Sequence, residues 1–211
     1  MNRIVRGLIL FVAVVTVTSP NLLAQNVEIH PYAGGFWPTS SDVGQLNSDA
    51  IYGVKAGFFL EPSTQLEANF GYINHFRLQG TDPAGARGML FDASIDYNFG
   101  ARDWPFPEKF TPHLAAGVGA LRMKLDAPFT QNVFSQVQLV GGPPLDIVRT
   151  ITMEDGDTFF TVNFGGGLKF NRLLGPLGFR ADARGRMFPN FYGGSPIWFE
   201  ATAGINFVFG E

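Results

Sequence analysis

The chain has 211 residues, 45% of them hydrophobic and only 16% charged, with a formal net charge of −3. That is material for one domain with an ample core, and it holds no basic run of the kind nucleic acid requires. Cysteine is absent, which removes disulfides, thiol nucleophiles, thiolate metal sites and a lipidated cysteine behind a leader.

Residues 1–24 read as a secretory signal peptide. Arg3 and Arg6 form a positive start, residues 7–18 are apolar, and Ser19-Pro20-Asn21-Leu22-Leu23-Ala24 offers a cleavage region before Gln25. The apolar run of roughly 12 residues falls short of the ~20 that a spanning helix needs. Losing the leader makes the mature chain, 25–211, two charges more negative. No later apolar run reaches helix-spanning length, so this chain can enter a membrane only as strands.

The mature chain alternates with a period of two, the mark of strands with two unlike faces. A first strand at 27–36 alternates weakly, and Pro31 predicts a bulge or an unpaired position. Residues 50–60 set Tyr52, Val54, Ala56, Phe58 and Leu60 against Lys55, and Glu61-Pro62-Ser63 is a tight turn. The clearest run, 64–76, sets Leu66, Ala68, Phe70, Tyr72 and Phe76 against Gln65, Glu67, Asn69, Gly71 and His75. Beyond the Gly/Pro-rich 79–88, residues 89–99 oppose Met89, Phe91, Ala93, Ile95, Tyr97 and Phe99 to Asp92, Ser94, Asp96 and Asn98. A connection at 100–111 leads to 112–123, with Leu114, Ala116, Val118 and Ala120 on its expected outer face. Residues 158–170 oppose Phe160, Val162, Phe164 and Leu168 to Thr161, Asn163 and Lys169. Residues 177–187 oppose Leu177, Phe179, Ala181 and Ala183 to Arg180, Asp182, Arg184 and Arg186. Residues 197–209 oppose Phe199, Ala201, Ala203, Ile205 and Phe207 to Glu200, Thr202 and Asn206.

Eight strands result, and no helix. The expected fold is all-β: an eight-stranded antiparallel up-and-down transmembrane β-barrel, with both chain ends at one rim. Links at that rim are mostly short (61–63, 171–176), apart from 100–111; those at the other rim are longer (37–49, 77–88, 124–157, 189–196). Outer-membrane barrels show this asymmetry, with the short turns in the periplasm.

Alternation alone does not say which face is outside. A soluble eight-stranded barrel such as a lipocalin keeps its apolar side chains inside, and Gly35-Phe36-Trp37 matches the lipocalin G-x-W. Three features favour the membrane. The pairs Phe58/Leu60, Tyr97/Phe99, Leu168/Phe170 and Phe207/Phe209 would form an interfacial girdle at one rim. The polar face is rich in Gly, Ser, Thr and Asn, whereas a solvated surface has about 25–35% charged residues. Six apolar faces carry no charge, as lipid contact demands when a midplane Arg or Lys costs about 2–4 kcal/mol.

With the polar face inside, Lys55, Lys169, Arg180, Arg184 and Arg186 share the lumen with Glu67, Asp92, Asp96, Asp182 and Glu200. Such buried charges must pair. The expectation is a structural lumen charge network that holds register and blocks the channel, because eight strands enclose only enough space for side chains. An ion path or gate is the alternative.

These residues resemble the small OmpA/OmpX-type outer-membrane β-barrel domains over essentially the whole mature chain. The local marks are Gly165-Gly166-Gly167-Leu168-Lys169-Phe170, then Gly178-Phe179-Arg180-Ala181-Asp182-Ala183-Arg184 with inward charges. The last strand, Gly204-Ile205-Asn206-Phe207-Val208-Phe209, is similar to the signal read by the outer-membrane assembly machinery, although Gly210 and Glu211 follow it where the family usually ends on an aromatic. No wall-binding domain is expected after it, so a tethering role is not carried over from the resemblance. The resemblance implies the outer membrane of a Gram-negative-type bacterium, with membrane lipid and lipopolysaccharide as surroundings, the assembly machinery as a partner, and no cofactor.

Function would then sit in the loops. Within 124–157, residues 133–140 and 147–153 are β-prone and flank Gly141-Gly142-Pro143-Pro144-Leu145-Asp146, a strong turn signal. A hairpin above the outer leaflet could pair its edge with a surface protein partner; a variable loop without a ligand is the alternative. Some small barrels deacylate or acylate lipid A, but His30, His75 and His113 lie on three strands and none is two residues from a serine, so a non-enzyme is expected. His75 reads as a polar lumen residue near the outer rim. No His and carboxylate spacing suggests a metal. A small-solute or hydrophobic-ligand channel stays open as a further alternative.

Overall fold

The computed structural model describes residues 27–39, 45–79, 85–100, 110–126, 129–137, 142, 145–192 and 194–209; the leader expected at 1–24 lies outside them. They form eleven strands in chain order: β1 (Val27–Trp37), β2 (Gln45–Leu46), β3 (Asp49–Glu61), β4 (Thr64–Gln79), β5 (Gly85–Asn98), β6 (Phe110–Leu125), β7 (Phe129–Val137), β8 (Leu145–Met153), β9 (Thr158–Leu174), β10 (Leu177–Met187) and β11 (Ile197–Phe209). No helix occurs among the described residues.

Eight of these strands close on themselves. Around the circumference the order is β1, β3, β4, β5, β6, β9, β10, β11 and back to β1, with every pair antiparallel. Closure leaves no barrel strand with an unpaired edge, which hydrocarbon would not tolerate. Val27 faces Phe209 on one side and Phe58 on the other, so the first and last strands share a rim. Two-residue turns close that rim at Pro62-Ser63 and at Gly175-Pro176, the latter with Gly175 at φ +64. The second turn is tighter than the expected 171–176 because β9 runs on to Leu174, through an irregularity in the ladder where Arg172 has φ 50, with Leu177 paired to Leu174.

Three local readings change. Of the two readings for Pro31, the unpaired position holds and the bulge does not: it stays in register with Val54 of β3, while the ladder to β11 is interrupted between Ile29↔Phe207 and Tyr32↔Gly204. Proline has no amide to donate there, and the His30 ring instead donates from Nδ1 to the Ile205 carbonyl at 3.1 Å. His75 is exposed, not in the lumen. The β4–β5 register shifts between Ile73 and Phe76, and one extra residue reverses the faces of a strand.

The third concerns the long excursion. Strands β7 and β8 form a separate two-stranded sheet running from Phe129↔Met153 to Val137↔Leu145. The pairing begins four residues before the expected 133, and Leu145 and Asp146, read as turn residues, pair with Val137 and Gln136. A hairpin does stand at the loop rim.

The two faces of the wall differ as expected for a membrane barrel. Outward positions carry Leu66, Phe70, Phe91, Ile95, Leu114, Val118, Phe164 and Phe199, all 41–59% exposed. Soluble monomers rarely expose contiguous apolar patches beyond a few hundred Å², and here the patch encircles the molecule. Hydrocarbon is the solvent that matches it. At the turn rim the belt ends in aromatic pairs, with Tyr97–Phe99 centroids 5.1 Å apart and Phe110–Phe170 centroids 5.2 Å apart.

Candidate functional site

Strand β10 is the spine of the lumen. Its inward residues Arg180, Asp182, Arg184 and Arg186 enter the lumen at successive positions, spanning roughly 20 Å of strand at about 3.4 Å per residue. Glycine makes room for them. A Cβ at Gly165 would meet the Ala183 carbonyl and the Arg184 side chain, and one at Gly167 would meet the Ala181 carbonyl and the His113 ring.

Nearest the turn rim, Lys169 Nζ donates to Glu28 Oε2 at 2.9 Å and to Gln65 Oε1 at 2.6 Å. The next level is organised by Arg180. Its guanidinium contacts Glu28 Oε1 at 3.1 Å, Glu67 Oε2 at 2.6 Å, Asp96 Oδ2 at 3.0 Å and Asp182 Oδ2 at 3.0 Å. Asp182 also accepts from Lys55 Nζ at 2.8 Å, and His113 Nε2 lies 2.7 Å from its other oxygen. Higher up, Arg184 Nη2 donates to Glu67 Oε1 at 2.6 Å. Arg186 then grips Glu200 through two nitrogens, at 2.9 and 3.2 Å, and reaches Asp92 Oδ1 at 2.6 Å. Two-pronged arginine–carboxylate contacts are the strong, direction-specific kind. Asn69 links Asp92 to the Tyr32 hydroxyl at 2.7 and 2.9 Å.

All ten charged residues singled out from the sequence lie buried in this lumen and meet one another. Sequence reasoning did not place Glu28, His30 and His113 in the lumen, where they are equally buried. Glu28 brings the count to six buried carboxylates against five buried cations among the described residues.

Toward the loop rim the chemistry changes. Phe36, Ile51, Ile73, Leu90, Leu121, Phe188, Phe191 and Trp198 form one apolar cluster, each at most 1% exposed. The link between β10 and β11 dips into the mouth: Phe191 lies 5.0 Å from Trp198 and 4.7 Å from Phe159, centroid to centroid. Next to it the Tyr192 hydroxyl donates to Asp157 Oδ2 at 2.7 Å. Burial, with the Asp157 carboxylate beside it, pushes the Tyr192 phenol above its ordinary range. An aromatic stopper therefore sits on an ionic packing.

No protein-family model matches this chain, and no curated protein matches it. Solved structures do. The outer membrane protein OprG from Pseudomonas aeruginosa matches with a TM-score of 0.59 at 10% identity, over 89% of this chain and 97% of that one. Neisserial surface protein A matches with a TM-score of 0.56 at 14% identity, over 86% and 96%. The N-terminal β-barrel domain of Pseudomonas aeruginosa OprF matches with a TM-score of 0.50 at 17% identity, over 87% and 97%.

The fold is that of the small outer-membrane barrels. At these identities the likeness is one of architecture, of the OmpA/OmpX type, and the outer-membrane placement expected from the sequence is in keeping with that fold. In this barrel the lumen holds no clustered set of metal-ligating side chains among the described residues. Its histidines are engaged with Ile205 and Asp182.

Proposed function

We propose that this protein is a closed outer-membrane barrel with a structural or surface-interaction role, acting through its long loops and above all through 124–157. One observation carries the reading: the lumen is filled along its length, by paired ions and then by an aromatic layer. Eight strands leave space for little more than side chains, so solute passage would require both layers to rearrange together. The network of Lys55, Glu67, Asp92, Asp96, Lys169, Arg180, Asp182, Arg184, Arg186 and Glu200 holds strand register and blocks the channel. The leader at 1–24 directs export, and the last strand, 204–209, engages the assembly machinery. We assign no reaction to the barrel.

In planar bilayers the refolded barrel is expected to give no steady, large conductance. A reproducible one that changes with substitutions at Arg184 or Arg186 would reverse the reading in favour of an ion path.

The hairpin supplies the second test. Thr130 and Thr152 already face each other across β7 and β8, so residues 131–151 can be replaced by an Asn-Gly turn, whose twist suits antiparallel strands. The shortened chain should still assemble, read as a gel mobility that changes on boiling. Whole cells carrying it should adhere less to cell-coated surfaces than cells carrying the full chain. Unchanged adhesion discards the role assigned to this loop.

A further inference from the structure

We propose that the outer wall of β4, β5 and β6, at the loop rim, binds the phosphorylated headgroup of an outer-leaflet lipid. The site rests on the outer-membrane reading and adds a ligand class to it. On this stretch of wall the apolar belt stops abruptly. Phe70, Phe91 and Ala120 are cross-strand neighbours facing outward, the two rings 5.2 Å apart. Two residues further toward the loops the same row reads Tyr72, Met89, Arg122, and beyond it Arg87 stands opposite Lys124. Three cations thus crowd the last two outward rows of two adjacent strands.

They line a cleft of about 290 Å³ floored by Tyr72 and Met89, with Asp155 and Gly156 at its upper edge. Arg87 is already paired with Asp126 at 2.8 Å, and Asp155 turns an oxygen to the Leu125 amide at 3.1 Å. Arg122 and Lys124 have no ion-pair partner among the described residues, and both are exposed. Long cations at a membrane boundary can simply reach for water, but that need is the same all round the rim. Among the described residues, the outward ones near the loop ends of β1, β3, β9, β10 and β11 are Trp37, Tyr52, Thr158, Met187 and Ile197, none of them a cation. Charge confined to one cleft, directly above a lipid-facing belt, fits a ligand whose tails lie on that belt. A guanidinium and an ammonium side by side suit a phosphate monoester, and a Tyr at the apolar boundary suits the headgroup level.

The test uses the full mature chain folded in detergent, with native mass spectrometry reading retained lipid. Probes are bis-phosphorylated lipid A, its dephosphorylated counterpart and inorganic phosphate. The wild type should retain the phosphorylated lipid; Arg122→Gln with Lys124→Gln should retain it at least tenfold less, and Arg122→Lys with Lys124→Arg should restore it. Boiling-dependent gel mobility reports that each variant is folded. Equal retention of both lipid forms, or equal retention by wild type and the glutamine variant, overturns the proposal. Displacement by inorganic phosphate alone also overturns it, since the cleft would then be a soluble-anion site. A wild type without a mobility shift overturns the membrane reading itself, and the site with it.

Discussion

Replacing Arg180 by methionine is expected to destabilise the barrel by about 3–5 kcal/mol, the cost of leaving buried carboxylates without their cation. Arg180 is fully buried and touches Glu28, Glu67, Asp96 and Asp182 at 2.6–3.1 Å. Three of those four have another close cation. Glu28 keeps Lys169 at 2.9 Å, Glu67 keeps Arg184 at 2.6 Å, and Asp182 keeps Lys55 at 2.8 Å. Among the described residues, Asp96 keeps only Lys169 and Arg184, each at 4.0 Å. The loss should therefore fall mainly on Asp96, and Asp96→Asn should recover part of it in the methionine background. Urea unfolding in lipid vesicles measures this as a lower midpoint with an unchanged slope. If the double variant is no more stable than Arg180→Met alone, the burden lies elsewhere in the network. Arg87→Met breaks a pair about half open to solvent, and it should leave the midpoint where it is.

How much of this was readable beforehand depended on contrast between the faces of each strand. Over residues 91–98 of β5 and along β10 the inward residues are polar or small and the outward ones apolar or small, so the period of two fixed the lumen positions of Asp92, Asp96, Arg180, Asp182, Arg184 and Arg186. In β1 the outward residues include Pro31, Ala33 and Gly35, which mark a face poorly. Glu28 and His30 are therefore not assigned to the lumen from the sequence, although both share the parity of Tyr32. His113 was hidden in the same way, on a strand whose inward side continues with Ala115, Gly117 and Gly119. Once the bulge after Ile73 broke the period, parity misplaced His75. Partner identity was never local: Arg180 and Glu28 are 152 residues apart, and only the stagger of the closed sheet brings them together. The aromatic layer left no alternating trace at all. Phe36 and Trp198 sit beside the outward Trp37, Ile197 and Phe199, so both faces of those strand ends are apolar, while Phe188 and Phe191 belong to a connection where no period applies.

That hidden layer yields the other large effect. Trp198→Ala is expected to lower stability by about 3–5 kcal/mol, the range for emptying a buried aromatic site whose surroundings relax only partly. Trp198 has no exposed surface and anchors the layer: Phe188 lies 4.2 Å away, Phe191 5.0 Å and Phe36 5.7 Å, ring centroid to centroid. Phe36 is held by the wall, but Phe188 and Phe191 come from the link that dips into the mouth, so removing the indole should also free that link. Urea titration gives the stability loss, and proteolysis between 188 and 196 should speed up in the variant. Conductance should nevertheless stay near the baseline, because Arg186, still held by Glu200 and Asp92, lies one layer beneath. The two layers thus make opposite predictions for one substitution: stability falls while the barrel stays shut. A variant that folds, loses its stopper and then conducts steadily would mean that the aromatic layer alone seals the barrel, and that the ions below it line a path.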